Sequence, residues 1–146
     1  MLFDLIKSIF RPSPTDKAFG HCMEADQALM VTVMTFYESY KAVGIQLSCD
    51  TSCFEELEKI LRNCEPENKK LTLVAVGAFL GCIIREQLGG KWTKTKDGKY
   101  KIIRIGKSDL SIDLEKDLVL PLAEDPPARL EELYNKIAAS ASFQKR

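Results

Sequence analysis

Histidine and tryptophan are nearly missing from this chain: His21 and Trp92 stand alone among 146 residues. A single histidine rules out a His-rich metal site, and a Ser-His-Asp hydrolase would rest on His21 alone. An excess of charge of either sign is missing too. The 21 lysines and arginines cancel the 21 aspartates and glutamates, so no global basic field draws the chain to nucleic acid. No phosphate loop, GxGxxG, GxSxG or HExxH motif and no CxxC pair occurs. The longest apolar run, Leu71 to Ile84, is broken only by Thr72. At ~1.5 Å per residue that run falls short of a ~30 Å hydrocarbon core and reads as a buried helix. The opening, Met1 to Phe10, meets Asp4 before its first basic residue and has no small-residue cleavage site, unlike a secretory signal. A cytoplasmic location is expected.

What is present fits one soluble domain: 45% apolar and 29% charged residues. The five cysteines (Cys22, Cys49, Cys53, Cys64, Cys82) are odd in number, which points to reduced thiols. The spacing of Cys49, Cys53 and Cys64 matches no zinc pattern. No metal and no cofactor is expected.

Residues 1–12 read as an amphipathic N-terminal helix or tail. Leu2, Phe3, Leu5, Ile6, Ile9 and Phe10 share a face opposite Asp4, Lys7 and Arg11, and Pro12-Ser13-Pro14 breaks the pattern. So short a helix must dock on the body, a partner or a membrane surface. Residues 13–146 read as a single α+β domain: N-terminal helices packed on one face of a 3–4-stranded antiparallel meander, with a closing C-terminal helix. Leu29, Val33, Phe36, Tyr37 and Tyr40 predict a helix over 22–43, ended by Gly44. Ser52 and Glu55 form a capping-box pair for a helix to Asn63. A third helix, about 67–88, is apolar on nearly every side and ends at Leu88-Gly89-Gly90. Gly77 and Gly81, four apart, each cost up to ~1 kcal/mol in a helix, so another element should press against them. Then the period changes. Lys91 to Thr95 alternates around Trp92, Asp97-Gly98 signals a two-residue hairpin, and Tyr100 to Ile105 is its partner strand. Leu110, Ile112 and Leu114 predict a third strand, and Asp117 to Leu122 a short fourth. Asp125 is the expected cap of a final helix opened by Pro126 and Pro127, with Leu130, Leu133, Tyr134 and Ile137 on its apolar stripe.

Two places attract a functional reading. Arg85 and Glu86 end the apolar helix close to Trp92, a setting that suits a small anion or a peptide edge; a solvated last turn is the plain alternative. Between Lys91 and Lys107, basic residues interleave with Trp92 and Tyr100, and Asp97 is the only acid. Such a surface, with Lys94 and Arg104, suits an acidic protein partner or nucleic acid, while an exposed hairpin uses the same lysines against edge pairing.

The stretch Val76-Gly77-Ala78-Phe79-Leu80-Gly81, through Ile83-Ile84-Arg85 to Leu88-Gly89-Gly90-Lys91-Trp92, resembles a group of uncharacterised bacterial proteins. These have a Gly-x-x-x-Gly helix followed by Leu-Gly-Gly-x-Trp. The resemblance covers about residues 70–138, with Leu118 to Pro121 matching a proline-containing strand and Leu130 to Ile137 the closing helix. An acidic residue often follows the second glycine in that group; Cys82 stands there in this chain. The group implies no established reaction, and some members of this general shape are regarded as immunity or accessory partners.

The expectation is therefore a small non-catalytic bacterial interaction module, immunity-like, adaptor or accessory. Arg85, Glu86, Trp92, Lys94, Tyr100 and Arg104 are its candidate binding residues. The alternative is a ligand-binding protein or enzyme with a pocket near Arg85, Glu86 and Trp92. A protein partner is expected, with a homodimer as a further option. Nucleic acid and membrane contact through residues 1–10 rank below it.

Overall fold

The structure, a computed structural model, describes residues 14–144, so the expected N-terminal helix over 1–12 lies outside the described residues. The first described helix, α1 (Pro14–Gly20), leads through a tight 3-10 turn, His21–Glu24, to α2 (Gln27–Ala42). One continuous helix over 22–43 was expected; the chain instead breaks at Asp26. That residue is extended, and its carboxylate accepts the Leu29 N–H at 2.9 Å, so it starts a new helix rather than continuing the old one. Helix α3 (Phe54–Asn63) follows the 3-10 turn Thr51–Cys53. Its lead-in is held by Asp50, which accepts the Ser52 N–H at 2.8 Å, and not by the expected Ser52–Glu55 box.

Helix α4 (Lys69–Leu88) is the centre of the molecule, and every residue from Ala75 to Ile84 is buried. Different elements cover different sides of it. Phe79 meets Phe19 of α1 and Phe36 of α2 edge-on, with ring centroids 5.5 and 5.9 Å apart. On the opposite side the two glycines do what their cost suggested. A β-carbon on Gly77 would lie 2.7 Å from Val119 Cγ2, and one on Gly81 would lie 2.5 Å from Trp92 Cη2. With the turn Pro66–Asn68 before it, the helical stretch Pro66–Leu88 is 23 residues, longer than the apolar run and sufficient in length and composition to cross a membrane. Here 61% of its apolar window is buried inside the protein, as for a core helix.

The sheet is antiparallel, in the order β1 (Lys91–Lys94), β2 (Tyr100–Ile103), β3 (Ile112–Asp113). Trp92 pairs with Ile102, Lys94 with Tyr100 and Ile102 with Ile112, so these side chains share the face turned towards α4. The architecture is α+β. Three details differ from expectation. The hairpin loop is longer than two residues: Thr95 N–H bonds Lys99 O at 2.8 Å and Gly98 sits at φ 83°. The expected fourth strand over Asp117 to Leu122 is absent, because the chain there is helical: a wide π turn, Leu114–Val119, runs into α5 (Leu120–Ala123). Reciprocal bonds start that turn. Asp113 accepts the Lys116 N–H at 2.8 Å, and Asp117 accepts the Asp113 N–H at 2.7 Å. Lastly, α6 (Leu130–Gln144) is not capped by Asp125: its Leu130 N–H is taken at 3.0 Å by Glu58 of α3. Residues adjacent in space, not in sequence, satisfy that helix end.

Candidate functional site

Two carboxylates on the link between α1 and α2 organise the corner where the expected binding residues lie. Glu24 accepts from Arg85 Nε and Nη2, both at 3.2 Å, and from the Trp92 backbone N–H at 3.2 Å. Asp26 accepts from Lys94 Nζ at 2.9 Å and from the Tyr100 hydroxyl at 2.7 Å while also capping α2. Lys94 lies 5.4 Å from the Tyr100 ring centroid. Burial pushes the Glu24 carboxyl up, but the Arg85 hydrogen bond, the Trp92 N–H and the positive charge nearby outweigh it, and the net shift is downward. Asp26 behaves likewise: burial raises it, while Lys94, the Leu29 N–H and Tyr100 bring it below the ordinary carboxylate value. Tyr100 is raised by burial and by Asp26.

The structure thus brings four of the six candidate residues together: Arg85, Trp92, Lys94 and Tyr100 are joined through Glu24 and Asp26. Their polar groups hold the α1–α2 link onto the hairpin. Trp92 is fully buried against Gly81, and its indole N–H has no hydrogen-bond partner among the described residues. The space between Arg85 and Trp92, where a ligand pocket was considered, is occupied by the Glu24 carboxylate. Glu86 is exposed one residue along. Arg104 is apart from the other five. It sits at φ 56° in the turn after β2 and, with Lys91 and Lys107, borders a shallow hollow of about 560 Å³.

Nucleophile and metal chemistry have few footholds. The five cysteines are free. Burial pushes the Cys49 thiol up to about 12 and the Cys53 thiol to about 11, far from the thiolate a nucleophile needs. Cys22 and Cys82 touch in the core, Sγ to Sγ 3.3 Å. Among the described residues no group of three or more His, Cys, Asp or Glu is placed to hold a metal ion.

A feature that sequence reasoning missed lies at the other end of α4. Leu73 and Val74 of α4, the hairpin tip Asp97–Tyr100, and the segment from Asp113 to Ala123 enclose an open groove of about 790 Å³. Its apolar lining includes Leu73, Leu114 and Val119, and two further apolar side chains on it stand open: Leu120 is 51% exposed and Val74 38%. Lys69 and Lys70 rim one bank, Asp113 and Glu115 the other. The missed signal is the spacing Leu114, Leu118, Leu122, four apart and all buried. It marks 114–122 as helical and would have turned Val119 and Leu120 towards the groove. No protein-family model, curated protein or solved structure matches this chain.

Proposed function

We propose that this chain is a small non-catalytic protein-interaction module, of the immunity-like, adaptor or accessory kind that its resemblance to small bacterial proteins suggests. Its docking surface is the groove along the first half of α4. One observation carries the reading: leucine and valine side chains stand open around a groove of about 790 Å³. Exposed apolar patches rimmed by polar residues mark interaction sites. The occupant is a protein face with an apolar ridge, acidic where it meets Lys69 and Lys70 and basic where it meets Asp113 and Glu115. The aromatic–basic hairpin takes a supporting part, since its Lys94 and Tyr100 already serve Asp26. With its thiols reduced, the module is assigned to the cytoplasm.

The test compares the full chain with two variants, Leu120→Glu in the groove and Lys101→Glu on the outward face of β2, in affinity capture followed by reconstitution from purified components. A partner held by the wild type and by Lys101→Glu, and released at least tenfold more readily by Leu120→Glu, is the expected result. Partners that bind all three chains equally would remove the groove from the proposal.

A further inference from the structure

We infer that the occupant of the groove is a second copy of this chain, in a two-fold dimer; this rests on reading the groove as a docking surface. The charge on its banks carries the argument. Lys69 is drawn to the Leu61 carbonyl at 2.8 Å and Asp113 to the Lys116 N–H. Lys70 and Glu115, on opposite banks, are exposed and have no partner among the described residues. A half-turn about an axis running along the groove exchanges the banks. Lys70 of one copy then faces Glu115 of the other, and the pair occurs twice. A foreign partner would not require the two banks to complement each other; a second copy does.

The apolar shape agrees. Val74 of α4 and Leu120 of α5 both line the groove and stand open on it. Under the half-turn Val74 of each copy is set against Leu120 of the other. Helix α1 and the turn after it lie on the far side of α4, through Phe19 against Phe79 and Cys22 against Cys82, whereas the groove side carries Gly77 and Leu73.

Sedimentation equilibrium of the full chain from micromolar to millimolar concentration tests this. The mass is expected to rise from 16.4 kDa towards twice that value. Lys70→Glu alone and Glu115→Lys alone are each expected to weaken the dimer roughly tenfold, because the two-fold axis repeats every change. An equimolar mixture of these two variants is expected to dimerise like the wild type, since each then meets its opposite charge at both contacts. The same restoration is expected of the double variant. Both positions are on the surface, so the fold survives, and circular dichroism confirms it. A chain that stays at 16.4 kDa throughout overturns the second copy and leaves the groove to residues 1–13 or to another protein. A dimer indifferent to both substitutions overturns it as well, placing the contact on another face. In either case a partner released by Leu120→Glu would keep the module reading alive, and its absence would end both.

Discussion

At the scale of single residues the tightest constraint is the contact between Gly81 and Trp92. A methyl group at 81 would meet the far edge of the indole at 2.5 and 2.7 Å, and the ring is wedged between α4 and Ile102 with no exposed surface. Alanine adds up to ~1 kcal/mol of helix propensity, but overpacking a rigid core costs ~1–3 kcal/mol. Gly81→Ala should therefore lose net stability, lowering the melting temperature by a few degrees in calorimetry. Gly77→Ala would put a methyl group 2.7 Å from Cγ2 of Val119, a β-branched side chain stiff at χ1 in its helical turn, and should also lose net stability, though less than Gly81→Ala because Val119 is only half-buried. Trp92→Phe shortens the ring edge that Gly81→Ala would strike, so the double variant should be more stable than the two single losses added together. A sum that adds without coupling would mean the ring does not press on the glycine. The sequence showed that something must approach these glycines. It did not show that Trp92 is the group doing so, because strand alternation gives two faces and only packing chooses between them.

At the scale of elements, Asp26 joins two tasks that are usually separate. It caps α2 through the Leu29 N–H, and it ties that cap to β1 and β2 through Lys94 and Tyr100. Removing the cap alone costs about 1 kcal/mol. Asp26→Ala should exceed that in urea denaturation, because the Tyr100 hydroxyl, already half-buried, loses its acceptor as well. Asp26→Asn keeps a capping oxygen and should fall between the two; equal losses for Ala and Asn would show that the tether, not the cap, carries the stability. The elements themselves were largely legible: α3, α4, the first two strands and the closing helix all stand near their expected positions. Three of the misses share a cause. The break at Asp26, the helical turn over 114–122 and the Glu58 cap of α6 all depend on a carboxylate choosing a backbone N–H, and several acceptors within reach were equally good on paper.

At the scale of the whole molecule, zero net charge leaves stability against acid to particular pairs. Glu24 and Asp26 both have carboxyls held below their ordinary values of 4.5 and 3.8. A depressed carboxyl stabilises the fold fully above its unfolded-state value, and that contribution is lost as pH falls through the lower folded one. The urea midpoint should therefore hold steady from neutral pH to about 5 and fall below about 4. Glu24→Gln should lower it at neutral pH and flatten the acid fall; an unchanged acid limb would show that the Glu24 carboxylate does not carry the acid dependence.

The sequence by itself determined that this is an α+β domain around one apolar helix, with small residues marking close approach and no motif for catalysis. Those properties are local or compositional: periodicity, glycine spacing and charge balance are written along the chain. Only the tertiary structure decided that the aromatic–basic hairpin is largely occupied internally, with Arg85, Lys94 and Tyr100 committed to Glu24 and Asp26 from about sixty to seventy residues away. It likewise decided that Val74 and Leu120 stand open on a groove along the first half of α4. A residue's availability is set by which distant groups satisfy it, and no pattern of neighbours in sequence records that choice.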